Sequence, residues 1–104
     1  MSEEIRGIPE LDKVIHEKGR LAILSQLKVN AEMSFSELKK ELSLSDGNLS
    51  VHIKNLESAG YVSTCKSFRN KRPLTTCQMT SLGNKSFDQY LKALENLIVH
   101  LKNN

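Results

Sequence analysis

Residues 45–60 read SDGNLSVHIKNLESAG, and this stretch decides the predicted fold. Ser45 can cap a helix because its hydroxyl accepts a hydrogen bond from an exposed backbone amide, and Gly60 can end that helix in a left-handed conformation. The buried face is given by three apolar residues at helical spacing, Leu49, Ile53 and Leu56. The stretch therefore predicts a helix over 46–59 whose exposed surface carries short, neutral polar side chains.

Two helical patterns lie in the N-terminal part of the chain. Pro9 suits a first helical turn, and the apolar residues after it predict a helix over roughly 9–17, which Gly19 interrupts. A second helix ends at Asn30, and its apolar residues are Leu21, Ile23, Leu24 and Leu27. The sequence thus predicts two helices before residue 31.

A third helix and a hairpin flank the decisive stretch. Ser34 and Glu37 form a Ser-x-x-Glu capping box before a short helix, and a tight turn at 43–45 joins this helix to 46–59. After Gly60, the segments YVSTCKSF and LTTCQMT are rich in β-branched and aromatic residues, and RNKRP lies between them. These segments predict a two-stranded hairpin with a basic tip, which must pack against the helices to be stable.

The C-terminal segment predicts a long helix over about 81–102. Its apolar residues alternate four and three positions apart, which is the spacing of a coiled-coil seam. The seam comprises Phe87, Leu91, Leu94, Ile98 and Leu101, and Tyr90 and Leu97 widen it. The whole chain, 1–104, is therefore predicted to be one mainly α domain with a small β-hairpin (α+β), with its core at about 9–80 and a helical appendage.

Two helices joined by a tight turn and followed by a basic hairpin are the order of a winged helix-turn-helix, whose second helix enters the major groove of DNA. Small residues at the start of that helix allow the backbone to approach base edges and phosphates. The predicted DNA contacts of the helix are Ser45, Asp46, Gly47, Asn48, Ser50, Val51, Lys54 and Asn55, and those of the hairpin are Lys66, Arg69, Asn70, Lys71 and Arg72. Asp46 could instead serve in the capping region, or it could read a cytosine.

The distribution of charge supports an anionic partner. The net charge is only +3, and residues 1–44 are nearly balanced. No acidic residue lies between Glu57 and Asp88, whereas five cations do: Lys66, Arg69, Lys71, Arg72 and Lys85. A one-signed segment of this kind favours nucleic acid, although a well-capped surface helix and a solvated turn are the alternatives for the two motifs.

Several other classes of protein are disfavoured. The chain has no apolar stretch of membrane-spanning length and does not begin like a signal peptide, so we expect a cytoplasmic protein. His16, His52 and His100 are scattered, and we expect no metal site, no cofactor and no enzyme activity. Cys65 and Cys77 are twelve residues apart, and they are either ordinary thiols or a redox pair, depending on whether they share a face of the hairpin.

The segments RLAIL, LSDGNLSVHIKNLESAGYV and KSFRNKRPLTTCQMT resemble a winged-helix group of transcriptional regulators related to the MarR and ArsR families. The resemblance covers about Leu11 to Leu94. It implies a recognition helix at 46–59, a wing at 67–73 and dimerisation through the terminal helices. The chain departs from the family at Val51, where a long polar residue is common and where valine could meet a thymine methyl group. It also departs at Leu74 and Cys77, where arginine and an aromatic residue are common.

The expected function is that of a homodimeric transcriptional regulator that binds a palindromic operator in double-stranded DNA, with repression as the default mode. The expected dimer interface is formed by Leu11, Phe87, Tyr90, Leu91, Leu94, Leu97, Ile98 and Leu101. Alternatively, the C-terminal stripe could fold back on its own domain. A protein-interaction module without base contacts is the competing function. No residue pattern marks a small-molecule effector.

Overall fold

The computed structural model describes residues 10–103 and contains four helices and three strands in that range. Their order is α1 (Lys18–Val29), β1 (Met33–Ser34), α2 (Phe35–Leu42), α3 (Asp46–Ser58), β2 (Val62–Arg69), β3 (Arg72–Met79) and α4 (Ser81–Lys102). This architecture is a winged helix of the α+β class with a long C-terminal helix, and it confirms the predicted fold.

The core lies between the three short helices, the base of the hairpin and the first half of α4. Its buried residues are Ile15, Ile23, Leu24, Leu27, Met33, Leu38, Leu49, Ile53, Leu56, Val62, Cys77, Phe87 and Tyr90. Each helix contributes apolar residues of its predicted stripe to this core, because burying one face provides most of the free energy that keeps short helices folded.

The sheet has three antiparallel strands in the order β1-β3-β2, so the prediction of a two-stranded hairpin was incomplete. β1 is only two residues long, and it pairs with β3 at Met33↔Cys77 and Ser34↔Thr76. A two-residue strand has no alternating pattern that a sequence reading could detect. Its pairing fixes the base of the hairpin and leaves the stretch of β3 before Thr76 with β2 as its neighbour.

The predicted first helix over 9–17 is wrong. Pro9, its expected start, lies outside the described residues, and residues 10–17 form a turn rather than a helix. The carboxylate of Asp12 accepts hydrogen bonds from the amides of Val14 and Ile15, at 2.8 and 3.2 Å. An aspartate that accepts from the amides two and three residues later marks the start of a turn and not the interior of a helix, and this turn places Ile15 in the core without exposed surface.

Gly19 was predicted to separate two helices, and its position in the structure is different. Gly19 does not interrupt a helix but lies in the first turn of α1, whose N-cap is Glu17. The carboxylate of Glu17 accepts a hydrogen bond from the Arg20 amide at 2.8 Å. This bond is the main reason why the pKa of Glu17 lies below its ordinary value.

α4 is anchored at its base to the start of the hairpin. Gly83 lies against the Tyr61 carbonyl, so closely that a Cβ atom there would overlap it. The Tyr61 hydroxyl donates to Asp12 Oδ2 at 2.6 Å, a bond that raises the pKa of the tyrosine. Lys28 of α1 bonds Asn84 and Asp88 of α4, at 2.6 and 2.7 Å. The N-terminal turn and the start of α4 therefore both contact Tyr61, at the start of the hairpin.

Candidate nucleic-acid interface

The start of α3 is set by the turn before it and by a serine cap. Ser43 has a left-handed backbone (φ 53°) and ends α2, after which the chain reverses within two residues. The Ser45 hydroxyl accepts a hydrogen bond from the Asn48 amide at 3.1 Å. Ser45 is therefore the N-cap, as predicted, and its oxygen is engaged within the chain.

The outward face of α3 carries all the helix residues predicted to contact DNA. Leu49, Ile53 and Leu56 are buried, which turns the opposite side of the helix to solvent. The exposed residues are Ser45, Asp46, Gly47, Asn48, Ser50, Val51, Lys54 and Asn55. Val51 is 60% exposed, which is unusual for a valine in the middle of a helix and leaves its methyl groups free for an apolar contact.

Asp46 does not cap the helix but forms an ion pair. Its carboxylate lies 2.7 Å from Lys39 Nζ of α2. The pair is exposed and contributes little to stability, yet it places a cation beside the one acid of the first turn of α3. Sequence reasoning missed Lys39, because its partner lies beyond a turn and no local spacing rule connects the two.

His52 points away from the exposed face and joins α3 to α1. Its ring lies where a Cβ atom of Gly19 would be. The ring nitrogen Nδ1 is 3.4 Å from Arg20 Nη1 and 3.6 Å from Glu17 Oε1. This half-buried position gives His52 a structural role between the two helices.

The wing projects beyond the body of the domain and ends in a two-residue turn. β2 and β3 pair without interruption from Val62↔Met79 to Arg69↔Arg72. Asn70 and Lys71 form the turn, and both have positive φ values, 53° and 65°. All five hairpin residues predicted to contact DNA are exposed: Lys66, Arg69, Asn70, Lys71 and Arg72.

Alternation along the strands divides the wing into two faces. Lys66 and Phe68 share a face with Val62 and Thr64, and this is the face turned to α3, because the Thr64 hydroxyl donates to Glu57 Oε2 of that helix at 2.8 Å. Arg69 and Arg72 lie opposite each other on the other face. Both faces of the wing thus carry cations, so phosphates could be bound on either side of it.

The two acids of α3, Asp46 and Glu57, both have side-chain partners within the described residues. Asp46 is paired with Lys39, and Glu57 accepts a hydrogen bond from Thr64. The exposed side of α3 and the wing carry positive charge at Lys54 and at the four cations from 66 to 72, and none of these cations forms an ion pair within residues 10–103. The arrangement combines a nearly neutral helix of short side chains with a strongly basic projection beside it.

The two cysteines lie on opposite faces of the hairpin, which decides the alternative that the sequence left open. Cys65 pairs with Thr76, whereas Cys77 pairs with Thr64. Cys65 is exposed and Cys77 is completely buried. Burial raises the pKa of the Cys77 thiol to about 12. The two residues are therefore not placed to form a redox pair within the chain.

The stripe on α4 is only partly available to a second copy of the chain. Phe87 and Tyr90, predicted in the dimer interface, are buried in their own domain because they close the core under α1. Leu11 and Leu94 are half-buried and pack on the same core. Leu97 is half-buried, and the exposed apolar residues of the stripe region are Leu91 at the middle of the helix and Ile98, Val99 and Leu101 near its end. The alternative that the stripe folds back on its own domain thus holds for Phe87, Tyr90 and, in part, Leu94.

Metal-binding clusters and membrane-spanning helices are absent from residues 10–103. No group of three or more His, Cys, Asp or Glu side chains there could hold a metal ion. No helix in the same range is long and apolar enough to cross a membrane. A shallow groove between the N-terminal turn and α4 is lined by Leu11, Ser86, Gln89 and Tyr90 among others.

Comparison with known proteins agrees with this geometry. Residues 20–98 match the model of a family described as a winged helix DNA-binding domain. The chain is 37% identical over 79 residues to the uncharacterized protein MJ0432 of Methanocaldococcus jannaschii, covering 76% of this chain and 86% of that protein. The structure resembles a transcriptional regulator homologue from Pyrococcus horikoshii, with a TM-score of 0.80, 33% identity, and coverage of 85% of this chain and 87% of that one.

More distant structures share the fold. An ArsR family transcriptional regulator superposes with a TM-score of 0.58 at 21% identity, with 82% of each chain covered. YusO of Bacillus subtilis superposes with a TM-score of 0.71 at 16% identity, covering 86% of this chain and 62% of that one. The structural neighbours are transcriptional regulators of the MarR and ArsR type.

Proposed function

Because this chain belongs to the winged helix DNA-binding domain family, we propose that it is a sequence-specific, duplex-DNA-binding transcriptional regulator of the cytoplasm that acts as a homodimer. In this proposal α3 enters the major groove and the wing lies along the phosphate backbone. The observation that carries it is the joint exposure of the short side chains on α3 and of four cations on an adjacent projection. Repression is the expected mode, because a compact dimer on an operator obstructs polymerase without needing an activating surface.

The division of labour follows from the chemistry of the two elements. Asn48, Ser50 and Asn55 offer amide and hydroxyl groups that can hydrogen-bond base edges, and Val51 offers an apolar contact for a thymine methyl group. Arg69, Lys71 and Arg72 supply charge that binds phosphates regardless of sequence. α3 therefore carries the proposed specificity, and the wing carries most of the affinity.

The proposed dimer uses the exposed residues of the α4 stripe. Leu91, Ile98 and Leu101 lie on a helix that extends beyond the core. A twofold axis there would bring two copies of α3 to successive major grooves, about 34 Å apart, and would require a palindromic operator. The burial along α4 supports this interface, because Phe87 and Tyr90 are covered by their own domain whereas Ile98 and Leu101 are exposed.

The test is fluorescence anisotropy of a labelled, mixed-sequence duplex at several salt concentrations. We expect Arg69/Lys71/Arg72→Ala to bind more weakly than the wild type and with a shallower dependence on salt, by roughly 0.9 log units for each lost phosphate contact. The matched control is Lys13/Lys92/Lys102→Ala, which removes the same charge from exposed positions outside the wing and α3. A wild type without salt-dependent binding at low salt would contradict the proposal and favour a protein-interaction module.

A further inference from the structure

An exposed aromatic residue on the wing is not explained by the functions described above. Phe68 is 76% exposed, although it is large and apolar and lies near the tip of a projection. It pairs across the hairpin with Pro73, which is also exposed. Neither residue belongs to the hydrophobic core or packs against it as a partly buried neighbour.

The surroundings of Phe68 are those of a surface that meets nucleic acid. Lys66, Arg69, Lys71 and Arg72 lie within four residues of it along the chain, and no acid occurs anywhere from 58 to 87. A protein-docking patch is usually apolar over a wider area and poorer in charge at its centre. A single exposed phenyl ring in a segment so rich in cations is instead suited to nucleic acid, where the ring would contact bases and the cations would bind the phosphates on either side.

The dimensions of the wing also fit a groove. All residues from Cys65 to Arg69 are exposed, so the free part of β2 projects by roughly 13 Å at 3.3 Å per residue. The minor groove of B-DNA is about 6 Å wide, so only the side chains at the tip of a hairpin, and not its two strands side by side, would enter it. The tight two-residue turn at Asn70 and Lys71 keeps this tip narrow.

The orientation of the ring selects its target. Phe68 lies on the face of the sheet that is turned to α3. With α3 in the major groove, this face would be turned toward the same stretch of DNA, whereas Arg69 and Arg72 lie on the other face. The ring would therefore reach the minor groove next to the major groove that α3 occupies.

We infer that Phe68, backed by Pro73, is an apolar wedge that enters the minor groove and partly unstacks a flexible base step, bending the operator. This inference rests on the proposed function. Apolar side chains that insert in this way kink the duplex, and pyrimidine–purine steps such as TA and CA yield most easily. Phe68 would then favour operators with such a step beside each half-site, although it forms no hydrogen bond to a base.

The experiment measures affinity and bending with the same DNA. Two duplexes of about 30 base pairs, roughly three helical turns, carry a fluorophore at each end and have identical base composition. One contains TA and CA steps throughout, and in the other the same bases are arranged in tracts without them. Energy transfer between the ends reports bending, and anisotropy at several salt concentrations reports affinity and its salt slope.

We expect the wild type to bend the duplex with flexible steps and to bind it more tightly than the other. Phe68→Ser should bind it on the order of tenfold more weakly, without bending and with an unchanged salt slope, since no cation has been removed. Phe68→Leu should retain most of the bending, because leucine is also an apolar wedge. Val29→Ser, which replaces a side chain that is 79% exposed on α1, should behave like the wild type.

The outcomes separate this inference from the function on which it rests. If Phe68→Ser bends and binds as the wild type does, the wedge is refuted while the DNA-binding function stands. If Phe68→Ser lowers the salt slope together with the affinity, the ring only supports the shape of the tip, and the wedge is again refuted. If the wild type binds neither duplex, the proposed function fails as well.

Discussion

His52 fastens the proposed recognition helix to the body of the domain because its ring lies over Gly19. Its Nδ1 atom faces Arg20 and Glu17, which are joined by the N-cap hydrogen bond of α1. His52 is thus used inside the protein. Its neighbour Val51, one position earlier, is on the exposed face. Adjacent residues of α3 therefore have different roles, since His52 holds the helix in place and Val51 is proposed to contact a base.

Gly19→Ala should lower the free energy of unfolding by about 1–3 kcal/mol, because the added methyl group must displace the His52 ring from a packed position. Urea unfolding followed by circular dichroism measures the change. Gly47→Ala is the matched control, since nothing lies within 4 Å of the position of its Cβ atom, and it should not destabilise the domain. A fully stable Gly19→Ala variant would be inconsistent with the contact between His52 and Gly19.

Cys77 should make stability depend on pH in the alkaline range. In the unfolded chain its thiol ionises near the ordinary pKa of 9.0, whereas burial raises the pKa to about 12 in the folded protein. Above pH 9 the unfolded chain therefore binds fewer protons than the folded one, and the free energy of unfolding falls, with a slope approaching about 1.4 kcal/mol per pH unit. Below pH 9 the thiol is protonated in both states and contributes no slope.

Urea titrations of the wild type and of Cys77→Ala between pH 8 and about 11 isolate this contribution, because all other titrating groups are common to both. We expect the difference in stability between them to shrink as the pH rises. A difference that stays constant over this range would show that the thiol is not buried as described.

At the scale of single elements, local patterns determined most of the fold. α3 was predictable because a serine cap, an apolar stripe and a terminal glycine all agree over 45–60. The helix expected over 9–17 failed because the Asp12 side chain stabilises a competing turn, which apolar spacing does not reveal. β1 was missed because its two residues are defined by pairing with β3, a partner that is distant in sequence.

The wing turn offers a way to separate charge from shape. Lys71 has a φ of 65°, a conformation that glycine adopts without strain and that a two-residue hairpin turn of this kind requires at both positions. Lys71→Gly should therefore stabilise the wing by about 0.5–1 kcal/mol, seen as slower hydrogen exchange of the hairpin amides. If Lys71 binds a phosphate, the salt slope of DNA binding should fall by roughly 0.9.

Lys71→Ala removes the same charge but keeps the strained backbone, so it should lower the salt slope equally without slowing exchange. Unchanged salt slopes in both variants would exclude Lys71 from contact with phosphate. A lower slope in the glycine variant alone would instead assign the effect to the shape of the turn.

At the scale of the whole molecule, the protein measures 57 × 26 × 24 Å, and the length of α4 accounts for the elongation. The coiled-coil spacing in the sequence predicted that the apolar residues of this helix form one continuous surface. The structure divides them, because Phe87 and Tyr90 lie in the core whereas Ile98 and Leu101 do not. Spacing alone gives the face of a helix but not the point at which its own domain stops covering that face.

Ile98→Glu should convert the proposed dimer to monomers, because a twofold axis would place two carboxylates in an apolar contact. Sedimentation velocity should show the wild type at about twice the mass of the 11.7 kDa chain and this variant near the single mass. Asn96→Glu places the same charge about 200° around α4 and is expected to remain dimeric. A wild type that sediments as a monomer at all concentrations tested would contradict the proposed interface.

The central claim is that α3 and the wing together form the surface that meets duplex DNA. The most direct measurement is an amide chemical-shift titration of the isotopically labelled protein with a short mixed-sequence duplex. We predict perturbations concentrated at residues 45–55 and 66–72, with the exposed amides of the second half of α4 unaffected. Perturbations confined to α4, or none at low salt, would contradict the account.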